Sequence, residues 1–264
     1  MRFTKMHGLG NDYIFLNCME TLPENLDQLA RRLSDRHFGV GGDGIICVCP
    51  SKQSDFRMRM FNADGSEGAM CGNGIRCFGK YVFDKGLTDK AHLTIETLAG
   101  KRELSLMIEG GTAAGAVVGM GTPTIGPAVE IAVKENIYIA IPVSMGNPHA
   151  VVEVTDPAAM DLLALGPAIE CHSAFGRRVN VEFVHVLDWK RLELRVWERG
   201  SGETLACGTG ACAAVAAMAA AGRTAREVMV CLAGGELAIR WEEKSGQMLM
   251  TGPAVTVFDG ELAD

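Results

Sequence analysis

One segment of this chain is written twice. Phe61-Asn-Ala-Asp-Gly-Ser-Glu-Gly-Ala-Met-Cys71-Gly-Asn-Gly74 aligns without a gap on Trp197-Glu-Arg-Gly-Ser-Gly-Glu-Thr-Leu-Ala-Cys207-Gly-Thr-Gly210, so that an aromatic, a Glu, the Cys and two glycines coincide. The shift that takes Cys71 to Cys207 also carries Gly10-Asn11 onto Gly146-Asn147, outside the aligned segment. Gly119-Met-Gly-Thr-Pro123 and Leu249-Met-Thr-Gly-Pro253 close the two copies. A repeat fixes the domain plan before any element is assigned. It divides the chain into homologous domains over 1–122 and 123–253, leaving 254–264, in which Val255-Thr-Val-Phe258 reads as a strand returning to the first domain.

Each copy reads as strands, a helix (Asn25 to Asp35; Pro157 to Leu165), further strands, and a second helix directly after the Cys motif (Gly74 to Lys85; Gly210 to Ala221). Gly44 to Val48, Phe56 to Phe61, Asn180 to Val186 and Leu192 to Trp197 are short runs with strand character. The helices after the cysteines are small and apolar on all sides, which belongs to a buried, central helix. The expected class is α+β: two pseudo-symmetric domains, each a curved, mostly antiparallel sheet wrapped around a central helix, with an active site in the cleft between them. Ala206 to Gly222 is mostly Ala and Gly and too short to span a bilayer, so no membrane association is expected.

The net charge of −7, with no stripe of Lys and Arg, argues against a nucleic-acid partner. MRFTKMHGLGNDYIFLN contains no charged region followed by an apolar leader, and the nine cysteines are an odd number. Reduced thiols in a cytoplasmic protein are the expectation. Cys47-Val-Cys49 alternates as a strand does and lacks the spacing of a tetrahedral metal site, so no metal is expected. Cys77 and Cys212 fall inside the apolar helices, where packing accounts for them.

Cys71 and Cys207 differ from these because each precedes a Gly-X-Gly that opens a helix. A sulfur there lies beside unpaired N–H groups and the positive end of the helix dipole, which favours thiolate. The glycines let a carboxylate approach the same N–H groups. Two such thiols, one on each face of a bound Cα, could invert it: one removes the proton and the other supplies one from the opposite side. Packing is the ordinary fate of a cysteine, but the in-register duplication beside glycines points to chemistry. Asn11, Asn62, Asn147 and Asn180 end apolar runs or adjoin turns, where a side chain can reach a cleft or simply cap a turn. Glu198-Arg199 reads as polar recognition or as an exposed ion pair. His149 has two open readings, a group that tunes a thiol and a hydrogen-bonded core histidine.

Lys5-Met-His-Gly-Leu-Gly-Asn11-Asp, Phe61 to Glu67, Cys71-Gly-Asn-Gly-Ile-Arg-Cys77, Met145-Gly-Asn-Pro-His149, Asn180-Val-Glu-Phe183, Glu198-Arg-Gly200 and Ala206-Cys-Gly-Thr-Gly-Ala211 together resemble the diaminopimelate epimerase family over essentially the whole chain. The resemblance implies interconversion of LL- and meso-2,6-diaminopimelate without cofactor, in the route to lysine and peptidoglycan. It implies Cys71 and Cys207 as catalytic residues, with His149 and Glu198 assisting thiol deprotonation. Asn11, Asn62, Asn147, Asn180, Glu198 and Arg199 match substrate contacts, and Gly72, Asn73, Gly208 and Thr209 match the cradle of the reacting carboxylate. A homodimer is implied as well. At Asp43-Gly44 the chain departs from members that carry a substrate-contacting Gln, since Gly44 has no side chain to offer. The rival readings are a proline or hydroxyproline racemase, a cysteine redox protein cycling through a disulfide, and a binding module without chemistry.

Overall fold

A computed structural model describes residues 1–262, so the last two residues of the 254–264 segment lie outside the described residues. The chain forms two compact units, Met1–Val118 with the chain from Thr251 onward, and Gly119–Met250. The first half of the chain contains β1 (Arg2–Gly8), β2 (Asn11–Asn17), α1 (Leu26–Ser34), β3 (Gly44–Cys49), β4 (Phe56–Asn62), β5 (Glu67–Gly68), α2 (Gly72–Asp84), β6 (His92–Thr97), β7 (Gly100–Glu109) and β8 (Thr112–Gly121). The second contains β9 (Thr124–Ile125), β10 (Val129–Val133), β11 (Asn136–Ser144), β12 (Pro148–Glu153), α3 (Leu162–Glu170), β13 (Asn180–Asp188), β14 (Arg191–Glu198), β15 (Gly202–Thr204), α4 (Gly208–Ala220), β16 (Glu227–Leu232), β17 (Gly235–Trp241) and β18 (Met248–Pro253), and β19 (Val255–Glu261) follows.

The two units are wired alike. In the first, β19, β1 and β2 pair antiparallel, β2 and β3 parallel, β3 and β4 antiparallel, β4 and β6 parallel, and β6, β7 and β8 antiparallel. In the second, β10, β11 and β12 pair antiparallel, β12 and β13 parallel, β13 and β14 antiparallel, β14 and β16 parallel, and β16 and β17 antiparallel. The C-terminal β19 therefore does for β1 what β10 does for β11. Helices α1 and α3, and α2 and α4, begin and end at the same separation as the two cysteines. The class is α+β, with two like units.

Strand alternation sorts side chains between two helices. Ile14, Leu16, Ile45 and Cys47 form a buried cluster with Leu26, Leu29, Ala30 and Leu33 of α1. On β2 the intervening Phe15 stacks on Tyr81 of α2, ring centroids 5.7 Å apart. In the second unit Val181 and Phe183 pack with Leu162, Leu165 and Ile169 of α3. Asn180 and Glu182 alternate with them and so turn to the α4 side. Helix α4 is buried from Ala211 through Met218, and its run of alanines is strongly helix-forming and slim enough for close packing. Helix α2 is less uniformly apolar than its sequence suggests: Arg76 is fully buried, donating to the carbonyls of Pro253 (3.1 Å) and Gly72 (3.3 Å).

The helix expected over 157–165 runs instead over Leu162–Glu170. Asp161 caps it, its carboxylate accepting from the Ala164 N–H at 3.1 Å, and the Pro157 region forms turns. Gly166-Pro167 looks like a stop signal, but a Cβ at Gly166 would lie 2.3 Å from the Trp197 ring, so the glycine serves close helix–strand packing. Pro167 deprives only the Leu163 carbonyl of a helical partner, and Leu163 is exposed to water. No helix among the described residues is long and apolar enough to cross a membrane.

Candidate active site

Both cysteines are the N-cap residues of their helices, which begin two residues earlier than the sequence suggests. Cys71 has φ −124° and ψ 123°, Cys207 φ −122° and ψ 113°. Each Sγ accepts from the N–H three residues on, Gly74 and Gly210 respectively, at 3.4 Å in both cases. The thiols therefore occupy the place a Ser or Asp oxygen takes in ordinary caps, with the N–H groups of the first turn around them.

In the first unit the Cys71 thiol donates to Asn11 Oδ1 at 3.1 Å, and Asn73 Nδ2 donates to the same oxygen at 3.3 Å. Asn11 is oriented from behind, its Nδ2 donating to Asp43 at 2.7 Å, and Asp43 also accepts from the Asp12 N–H at 3.1 Å. Arg36 bridges Asp12 (2.8 Å) and Asp43 (3.0 Å), and Lys5 pairs with Asp12 at 2.6 Å. Burial pushes the Asp12 carboxyl upward, but Arg36 and Lys5 bring it below its usual value. Tyr13 is buried with its hydroxyl in hydrogen-bonding contact with Cys71 and Asn11; burial first, and the Cys71 sulfur second, push its phenol well up. Asn62 ends β4 and bonds Ser66 Oγ at 3.0 Å. A Cβ on Gly44 would lie 2.1 Å from the Phe61 carbonyl oxygen, so the β4 backbone closes the direction a side chain would need.

In the second unit Thr209 Oγ1 lies 3.5 Å from Cys207 Sγ and accepts from Asn147 Nδ2 at 3.1 Å. Asn147 Oδ1 faces His149 Nε2 at 3.1 Å, and His149 Nδ1 faces Glu182 Oε1 at 2.6 Å. Asn180 Oδ1 accepts from the Arg199 N–H at 2.9 Å, which fixes the turn after β14. Glu198 accepts from Thr204 Oγ1 at 2.6 Å. The carboxylate partner of His149 is thus Glu182, whereas Glu198 is held by Thr204.

The expectation of a thiolate-favouring helix start is met geometrically at Cys207 and overridden electrostatically. Burial, then Glu198 and Glu182, push the Cys207 thiol well above its ordinary value, against the smaller opposing effects of Thr209 and the Gly210 N–H. Glu182 is itself raised by burial, with His149 pulling the other way.

The structure gathers Asn11, Cys71 and Asn73 in one unit and Asn147, His149, Cys207 and Thr209 in the other. Gly72 and Gly208 open the two helices. Sequence reasoning missed Tyr13, Asp43 and Glu182. The signal for two of them was present, because the shift from Cys71 to Cys207 pairs Tyr13 with His149 and Ile46 with Glu182; it also pairs Asn62 with Glu198, Asn73 with Thr209 and Gly44 with Asn180.

The chain matches the family model described as diaminopimelate epimerase over residues 3–126 and 141–257. It is 50% identical to the diaminopimelate epimerase of Acetivibrio thermocellus over 277 residues, covering 99% of this chain and 98% of that one. The enzyme of the same name from Moorella thermoacetica is 50% identical over 275 residues, 99% of each chain, and that of Methanococcus maripaludis strain C5 is 47% identical over 275 residues, again 99% of each. Among solved structures, a Bacillus anthracis phenazine biosynthesis protein of the PhzF family superposes with a TM-score of 0.77 at 18% identity, covering 100% of this chain and 99% of that one. A hydroxyproline epimerase from Agrobacterium vitis gives 0.76 at 14% identity, covering 98% and 91%. At such identities these two speak for the fold alone.

Proposed function

Because this chain belongs to the diaminopimelate epimerase family, we propose that it interconverts LL- and meso-2,6-diaminopimelate through Cys71 and Cys207. The observation that carries the assignment of residues is the duplicated cap: two sulfurs in the same conformation, each receiving an N–H at 3.4 Å at a helix start. Inversion needs a base on one face of Cα and an acid on the other. With one cysteine per unit, turnover requires both units.

In one direction a Cys71 thiolate removes the α-proton while the Cys207 thiol gives its own proton to the opposite face; the reverse direction exchanges the roles. The C–H electron pair spreads into the substrate carboxylate, where N–H groups at the starts of α2 and α4, around Gly72-Asn73 and Gly208-Thr209, stabilise the added charge. Asn11, Asn62, Asn147, Asn180, Glu198 and Arg199 hold the rest of the substrate, the distal amino and carboxylate groups included. His149 acts on Cys207 through Asn147 and Thr209. The reading includes a homodimer in the cytoplasm, testable by sedimentation and cell fractionation.

Coupled assay of LL-to-meso conversion tests the assignment. Cys71→Ala and Cys207→Ala are each expected to lose activity by about a thousandfold or more, with circular dichroism unchanged. Turnover at the parent rate in either variant would refute the two-thiol assignment. Proline offered in place of diaminopimelate is expected to remain unchanged.

A further inference from the structure

Glu182 is a fully buried carboxyl that the epimerisation scheme leaves without a task. It sits on β13 facing the start of α4, where its Oε1 lies 2.8 Å and Cys207 Sγ 3.4 Å from the point a Cβ of Gly210 would occupy. Glycine thus opens a direct line between carboxyl and sulfur. At the equivalent place in the first unit, the ideal Cβ of Gly74 meets Ile46 Cδ1 at 2.7 Å and Cys71 Cβ at 3.5 Å. A methyl group fills that space there, so packing alone does not call for an acid.

The asymmetry extends further. The counterpart of Glu198 is Asn62, so at two matched positions the second cysteine has carboxyl groups and the first has neutral residues. The charged and titratable groups facing Glu182 are His149 from β12, Glu198 from β14 and Cys207 from the start of α4. Only Oε1 meets His149, and Oε2 has no hydrogen-bond partner among the described residues. The oxygen nearest the open side of Gly210 is Oε1, which His149 shares, so a single imidazole is the only hydrogen-bond partner of this buried carboxyl among the described residues.

We propose that Glu182 is a positioning residue for Cys207: its buried carboxyl, set across the open side of Gly210 from the sulfur, keeps that cysteine a thiol, so the resting enzyme carries its proton donor in the second unit and its base in the first. Two matched helix starts would otherwise give two equivalent sulfurs, and inversion needs them unlike. The meaning for turnover rests on the epimerase reading, whereas the effect on the thiol does not.

The test is the pH dependence of iodoacetamide labelling at Cys207, followed by peptide mass spectrometry in a Cys71→Ala background, with and without Glu182→Gln. The expected result is a midpoint lower by about half to one unit, and roughly three- to tenfold faster labelling at a pH below both midpoints. A midpoint that stays put or moves upward would overturn the proposal. Glu182→Ile, which copies the first unit, is a second variant with the same expected direction should the glutamine protein not fold. Labelling needs no substrate, so a parent enzyme inactive on diaminopimelate would sink the epimerase reading while leaving this result interpretable.

Discussion

Asn11 is held by groups that never touch the sulfur it serves. Asp43 accepts from its Nδ2 at 2.7 Å and is itself held by Arg36 at 3.0 Å, so the amide presents its oxygen to Cys71 in one orientation. Asp43→Ala is expected to free the amide at a cost of about 1–2 kcal/mol, read as a rise in KM with folding retained; an unchanged KM would remove Asp43 from the site. Gly44 makes the opposite point about the same loop. With the Phe61 carbonyl 2.1 Å from its ideal Cβ, Gly44→Ala is expected to destabilise the protein by roughly 1–3 kcal/mol, measured by urea unfolding. A longer side chain therefore cannot simply be grafted onto this backbone at position 44.

At the scale of elements, capping decides where helices begin, and it shows what was readable. The Cys-Gly-X-Gly segments announced both central helices because cap residue, glycines and apolar run are contiguous. The start of α3 was misplaced: Asp161 caps it, and Gly166-Pro167, which looks like a stop, lies inside the helix with Gly166 packed against the Trp197 ring. Glu182 was visible only in part, as an acid where the shift puts Ile46 in the first copy. Val179-Asn-Val-Glu-Phe-Val184 puts an acid in an apolar strand, but only tertiary contact reveals that its partners are His149 and the start of α4. A local prediction follows at Asp55, which ties the start of β4 to β6 through Thr94 (2.8 Å) and Lys90 (2.6 Å). The Lys90 ammonium and the Thr94 N–H lower its carboxyl to about 2. A depressed carboxyl stabilises the fold above the unfolded pKa of about 4 and loses that contribution as pH falls toward 2. Asp55→Asn is therefore expected to cost roughly 1–2 kcal/mol at neutral pH, allowing for solvent screening, and to converge with the parent near pH 2.

For the molecule as a whole, duplication explains both its symmetry and its departures from it. The strand order, the helix pair and the thiol caps repeat, and this much was legible because one constant shift relates the two copies along the chain. What differs between the copies is Tyr13 against His149 and Ile46 against Glu182, and it is on the second of these that the proposal for Cys207 rests. The C-terminal β19 closes the first unit beside β1, with Asp259 bonded to Thr4 (2.6 Å) and Lys85 (2.7 Å). Removing the chain from Val255 onward is expected to raise hydrogen exchange throughout β1 and β2 while sparing β11 to β14. The central claim is that two thiols act from opposite faces of one carbon, and deuterium labelling of LL-diaminopimelate in deuterium oxide tests it most directly. At early times the meso product should carry deuterium at the inverted carbon while the remaining LL substrate carries none. Product that keeps protium there, or substrate that gains deuterium as fast as product forms, would contradict the account.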